Sequence, residues 1–92
     1  MSKFDKLLVD LAKESFATLH KSKKFIAGQT SIPVTGKVFG KEEIENALKA
    51  SAEFWLTAGP YTSEFESRLA KKVGMRHSFM VNSGSSANLV AL

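Results

Sequence analysis

Apolar side chains recur at helical spacing near the start of the chain, with Phe4, Leu7, Leu8, Leu11, Phe16 and Leu19 on one stripe. The stripe predicts a helix over residues 3–21 that packs on something. Ser2, followed three residues later by Asp5, resembles a capping box, in which hydroxyl and carboxylate each satisfy the other's backbone N–H. Residues 1–24 thus read as an N-terminal amphipathic helix. Over residues 25–40 the periodicity is lost. Phe25-Ile26-Ala27-Gly28 and Ser31-Ile32-Pro33-Val34 mix apolar residues with breakers, which predicts an extended arm. Helical spacing resumes over 41–55, where Ile44, Ala47, Leu48, Ala52 and Trp55 share a face and Glu42 and Glu43 favour the first turn. A turn follows around Gly59-Pro60, with Thr62 or Ser63 as cap of a third helix that runs to Val73. That helix carries Phe65, Leu69 and Val73 on one face, acids at its start and Lys71 and Lys72 at its end. Gly74 suits its C-terminal stop.

The next stretch carries the most chemistry. His77-Ser78-Phe79-Met80-Val81 is a short apolar run that predicts a strand, and Ala87 to Leu92 reads as a helix. Between them lies Asn82-Ser83-Gly84-Ser85-Ser86-Ala87-Asn88. Strand, small-residue turn and helix start form a phosphate-binding geometry, because free N–H groups at a helix N-terminus carry partial positive charge. Gly84 lets the backbone approach an anion, and Ser85 and Ser86 add hydroxyl donors.

One strand leaves two edges of unpaired backbone groups. Ile32 to Phe39 could supply a second, although Pro33 limits it to an edge. Two strands alone are marginal. The chain is therefore expected to be the N-terminal part of a larger α/β protein, with residues 41–92 opening an α/β domain that binds a phosphorylated ligand. A complete small α+β domain is the alternative.

Composition excludes several classes. With 43% hydrophobic and 24% charged residues the chain matches average globular usage, which argues against disorder. It lacks any run of about 18 apolar residues, and Asp5, Lys6 and Asp10 interrupt the first apolar segment, so neither a membrane span nor a secretory leader is predicted. A cytoplasmic location is expected. With no cysteine there is no disulfide and no thiolate ligand. His20 and His77 stand alone at no metal-ligand spacing and read as surface residues, so no metal site is predicted. The net charge is +4, and Lys21-Ser22-Lys23-Lys24 concentrates part of it at a helix C-terminus, where cations complement the dipole. No aromatic residue interleaves with this cluster for base stacking, which argues against nucleic acid as a partner. Gly36-Lys37-Val38-Phe39-Gly40-Lys41-Glu42 is not a P-loop: its glycines stand one residue too close, and Glu42 replaces the magnesium-binding Ser or Thr.

Two segments carry a resemblance. Trp55-Leu-Thr-Ala-Gly-Pro-Tyr-Thr-Ser-Glu-Phe-Glu66 and Val81-Asn-Ser-Gly-Ser-Ser-Ala-Asn-Leu89 resemble the DegT/DnrJ/StrS family of sugar aminotransferases and dehydratases. The chain is more similar to the lipopolysaccharide-biosynthesis branch of CDP-4-keto-6-deoxy-D-glucose 3-dehydrases. Family aminotransferases tend to show Ser-Gly-Thr-Ala-Ala-Leu at the turn and to begin near the Ile32-Pro33 arm. This chain has Ser-Gly-Ser-Ser-Ala-Asn, an N-terminal helix and a Lys24-Phe25-Ile26-Ala27-Gly28 link, as the dehydrases do.

The resemblance implies an aspartate-aminotransferase-like (fold type I) vitamin-B6 enzyme, with a mostly parallel sheet and an active site at a homodimer interface. It implies that Gly84, Ser85 and Ser86 hold the phosphate of pyridoxamine 5′-phosphate or pyridoxal 5′-phosphate, and that Gly59 and Tyr61 lie by the substrate pocket. The implied substrate is a nucleotide-sugar, and the implied reaction removes its C3 hydroxyl with the cofactor ring as electron sink. In that branch a His replaces the aminotransferase Lys, cysteines hold an iron–sulfur cluster, and a reductase partner supplies electrons. None of those residues falls within residues 1–92, so no catalytic residue is assigned and the chain alone is expected to be inactive. An ordinary pyridoxal-phosphate sugar aminotransferase, or a non-catalytic remnant or small binding module, are the alternatives.

Overall fold

The computed structural model describes all 92 residues as four helices: α1 (Lys3–Leu19), α2 (Lys41–Ala52), α3 (Pro60–Lys72) and α4 (Gly84–Ala91). The chain divides into two compact units, Met1–Phe54 and Trp55–Leu92.

In the first unit α1 packs against α2. The capping box at Ser2 forms: Asp5 N–H donates to Ser2 Oγ at 3.1 Å, and Ser2 N–H donates back to Asp5 Oδ2 at 3.2 Å. These bonds hold the Asp5 carboxyl below its ordinary value. The covered face of α1 differs from the expected stripe. Ala12 is buried and Leu8, Val9 and Phe16 are half-buried, whereas Phe4, Leu7, Leu11 and Leu19 are exposed. The helix has apolar residues on two adjoining faces, and α2 covers only the one centred on Ala12. α1 ends at His20, and none of its last-turn residues is basic, so Lys21 to Lys24 follow the helix rather than complement its dipole. His20 is not simply solvated. Its ring stands edge-on to Phe39 at 4.8 Å, and Phe39 also meets Phe16 edge-on at 5.7 Å.

The arm of residues 25–40 holds one turn, in which Ile26 accepts from Gln29 and Thr30 N–H and Gly28 takes φ +81°. α2 begins at Gly40, whose N–H donates to Glu43 Oε2 at 2.6 Å. It stops at Ala52, before Trp55, because Phe54 turns the backbone left-handed at φ +64° and its N–H donates to Ser51.

The second unit opens differently from the expectation. Pro60 starts α3 and Gly59 is its N-cap, with no role for Thr62 or Ser63. Pro suits this place because the N–H it lacks has no partner there anyway. The covered face is Thr62, Glu66 and Ala70, with Ala70 buried, while Phe65, Leu69 and Val73 are exposed. Gly74 ends α3 as expected. At φ +70° it allows the paired reversal in which Met75 N–H reaches Ala70 and Gly74 N–H reaches Lys71.

No β-strand forms, so the α/β expectation is met only on its helical side. Residues 77–81 pair with no second strand, and Ile32 to Phe39 is not one either. A strand requires a ladder partner. Here Glu66 takes that place: Ser78 Oγ donates to its carbonyl at 2.5 Å and Met80 N–H to its carboxylate at 2.8 Å. Only Ala12 and Ala70 are buried apolar residues. The large apolar side chains left exposed on α1 and α3 amount to open packing faces.

Candidate functional site

The Asn82–Asn88 run places its three serines in distinct roles. Ser83 is the N-cap of α4, and its Oγ accepts Ser86 N–H at 3.1 Å. The Ser83 hydroxyl donates to Ser86 Oγ at 3.1 Å, and the Ser86 hydroxyl donates to Asn82 Oδ1 at 2.5 Å. Ser86 is half-buried in this chain of hydroxyls. Ser83 O also accepts Ala87 N–H. The N–H groups of Gly84 and Ser85 and the Ser85 hydroxyl have no partner within the chain, and Ser85 is exposed. Three donors thus stand without partners at the positive end of α4, whose first turn holds no acid. A Cβ placed on Gly84 would meet nothing within 4 Å, so the space beside that residue is open. A helix start is present, but it lies at Gly84, three residues before the expected Ala87, so that Gly84, Ser85 and Ser86 form the first turn of the helix rather than a loop ahead of it. Which serine caps it was not legible from three serines within four residues.

Gly59 and Tyr61 lie at the start of α3, as N-cap and second helical residue. Gly59 is half-buried under the indole of Trp55. A Cβ there would fall 2.8 Å from Cζ3 and 3.1 Å from Cδ2, and closer still to Cε3. The glycine is required by this contact, a signal that sequence spacing did not carry. Tyr61 is partly exposed.

A cleft of about 280 Å³ lies between α3 and the segment that returns over it, lined by Glu66, Lys71, Arg76, His77, Ser78 and Phe79 among others. None of the candidate residues lines it. The Gly74 reversal creates it by folding Arg76 to Phe79 back along α3. The chain contains no group of His, Cys, Asp or Glu that could hold a metal ion, and no helix is long and apolar enough to cross a membrane.

Residues 37–92 match the DegT/DnrJ/EryC1/StrS aminotransferase family, and the chain belongs to it. It is 43% identical over 70 residues to the lipopolysaccharide biosynthesis protein RfbH of Salmonella typhimurium, covering 76% of this chain and 16% of that protein. It is 41% identical over 71 residues to the dTDP-4-dehydro-2,6-dideoxy-D-glucose 3-dehydratase of Saccharopolyspora spinosa, covering 77% and 15%. It is 36% identical over 61 residues to the spore coat polysaccharide biosynthesis protein SpsC of Bacillus subtilis, covering 66% and 16%. The chain spans about a sixth of the length of these relatives. No solved structure matches it.

Proposed function

We propose that these residues form the cofactor-phosphate end of a pyridoxamine-phosphate-dependent nucleotide-sugar 3-dehydrase of deoxysugar or lipopolysaccharide O-antigen biosynthesis. The observation that carries the reading is the start of α4, where Gly84 N–H, Ser85 N–H and the Ser85 hydroxyl lie in one turn without partners. A phosphate suits this donor set: it is negative, accepts several hydrogen bonds, and meets no carboxylate on that turn. Membership of the family and the printed function of the Saccharopolyspora relative support the choice of a sugar dehydratase.

Pyridoxamine 5′-phosphate, when bound, supplies the amine that joins a sugar ketone and the ring that takes up electrons. The work of this chain is to hold and orient. Ser83, Ser86 and Asn82 fix the helix start, while Gly84 and Ser85 present donors to the phosphate. Gly59 and Tyr61 border the sugar. The proton-moving base lies outside these residues, as do ligands for an iron–sulfur cluster, since the chain has no cysteine. A homodimer, a reductase partner and a cytoplasmic location complete the proposal. A pyridoxal-phosphate sugar aminotransferase is the second reading, favoured by the family's aminotransferase members.

Calorimetric titration with pyridoxamine 5′-phosphate and with pyridoxamine tests the site. Saturable binding of the phosphorylated compound alone is expected. Equal binding of both, or of neither, overturns the reading. In the enzyme that carries these residues, a 4-keto nucleotide-sugar that loses its C3 hydroxyl identifies the dehydrase. One that gains an amino group at C4 from an amino-acid donor identifies the aminotransferase.

A further inference from the structure

Glu66 engages a neighbouring backbone rather than a charge. It is the seventh residue of α3, too far from the helix start to serve the dipole. Lys71 and Arg76 line the same cleft, yet its carboxylate pairs with no cation. Instead the carboxylate accepts Met80 N–H at 2.8 Å, while the Glu66 carbonyl accepts the Ser78 hydroxyl at 2.5 Å. One half-buried residue thus ties the 77–81 segment to α3 at two points.

The clamp stands next to the serine turn. Met80 lies two residues before Asn82 and three before the Ser83 cap. Two extended residues span at most about 7 Å, so a fixed Met80 leaves Asn82 little room to wander. Asn82 Oδ1 accepts the Ser86 hydroxyl, and Ser83 Oγ accepts Ser86 N–H. Both bonds need the backbone at 82 and 83 to stay in place. α4 cannot supply that order by itself. It has eight residues, fewer than the roughly 12–15 at which a lone helix persists in water. We infer that Glu66 is a positioning residue for the phosphate turn, fixing through Met80 the backbone that enters α4 where Gly84 and Ser85 offer their donors. The inference rests on the proposed cofactor site and adds to it a residue from another helix. Without the clamp the turn frays in part of the population, and affinity falls by the fraction that remains in place.

Calorimetric titration with pyridoxamine 5′-phosphate, joined to amide hydrogen exchange of the free chain, tests the role. Glu66→Ala keeps the carbonyl that holds Ser78 and removes only the acceptor for Met80. A hydrogen bond of this kind biases an equilibrium about fivefold. Glu66→Ala is therefore expected to weaken binding about threefold to fivefold. Glu66→Gln keeps an acceptor oxygen and is expected to recover part of the loss. Glu64→Ala removes the same charge from the same helix, breaks only the pair with Arg68, and is expected to leave affinity unchanged. A long-range charge effect would strengthen anion binding in both Ala variants, the opposite sign. Exchange at Ser86 N–H is expected to quicken in Glu66→Ala, while exchange at Leu69, in the body of α3, holds. Where Glu66→Ala does not fold, Glu66→Leu, bulkier and equally without an acceptor, replaces it. Unchanged affinity in the variant without an acceptor overturns the positioning role, and so does a loss accompanied by faster exchange at Leu69, which makes Glu66 a structural residue only. If the unaltered chain does not bind pyridoxamine 5′-phosphate, the cofactor reading falls instead; faster Ser86 exchange then still upholds the clamp, and unchanged Ser86 exchange overturns it as well.

Discussion

Met80 donates its backbone N–H to the Glu66 carboxylate at 2.8 Å, fourteen residues back along the chain. The sequence places Glu66 near a helix start, where an acid complements the dipole. In the structure it stands half-way along α3, half-buried, and holds the segment that would otherwise need a β partner. Glu66→Ala removes a charged acceptor in a partly exposed place, worth about 1 kcal/mol. The expected result is hydrogen exchange at Met80 that is roughly fivefold faster. Glu64→Ala, which breaks only the exposed pair with Arg68 on the same helix, leaves Met80 exchange unchanged.

Two residues with left-handed backbone end helices, and they predict opposite effects. Gly74 at φ +70° has open space around it, so Gly74→Ala meets no clash and reports backbone strain alone. It is expected to lower stability by about 1 kcal/mol. Phe54 at φ +64° is 78% exposed, so its side chain loses little packing on removal. Phe54→Gly relieves the same strain and is expected to raise stability by up to about 1 kcal/mol. Urea melts of both variants measure the pair. A Phe54→Gly chain that melts earlier would show that the ring packs more than its exposure indicates.

The capping carboxylates give a pH dependence of known sign. Asp5 is held low chiefly by its hydrogen bonds from Ser2, and Glu43 by the Gly40 N–H. Each titrates lower in the folded chain than in the unfolded one. Their contribution is therefore fully present above the ordinary values of 3.8 and 4.5, and is lost as pH falls through the lowered folded values. Helix content measured by circular dichroism during acid titration should fall across that window. Asp5→Asn together with Glu43→Gln should flatten the fall. An unchanged curve would show that the caps contribute nothing to folding.

Local signals in the sequence were strong where chemistry is short-range. Ser2 with Asp5, Gly74 as a stop, and the start of α4 each depend on a few neighbours, and each forms. Tertiary pairing was less legible. A run such as 77–81 has strand propensity, but a strand exists only through a partner, and Glu66 supplies the hydrogen bonds instead. Helix faces misled for a related reason. α1 and α3 each carry apolar residues on adjoining faces, and the larger side chains Leu7, Leu11, Phe65 and Leu69 marked the open face. The small residues Ala12 and Ala70 mark the covered one, because close packing selects for small size as well as apolar character. At the candidate site the pattern located the turn. It could not apportion roles among Ser83, Ser85 and Ser86, which depends on hydroxyl directions.

That apportionment yields the sharpest prediction. Ser86 accepts from Ser83 Oγ and donates to Asn82 Oδ1, so its hydroxyl is committed to the turn. Ser85 carries the free hydroxyl. Ser86→Ala keeps the N–H that Ser83 caps but removes the hydroxyl's two side-chain hydrogen bonds, and should cost about 1 kcal/mol of stability. It should leave pyridoxamine 5′-phosphate affinity within about twofold, since stability and binding then draw on different groups. Ser85→Ala should do the reverse. A charge-assisted donor to phosphate is worth about 1.5–3 kcal/mol, so affinity should fall by about tenfold or more. Stability should stay within about 0.5 kcal/mol, as for an exposed surface change. Affinity and melting temperature measured on both single variants separate the two serines. If Ser86→Ala instead abolishes cofactor binding while the melting temperature holds, the hydroxyl chain must open on binding, with Asn82 released and Ser86 turned to the phosphate. The turn would then be rebuilt by its ligand rather than formed in advance of it.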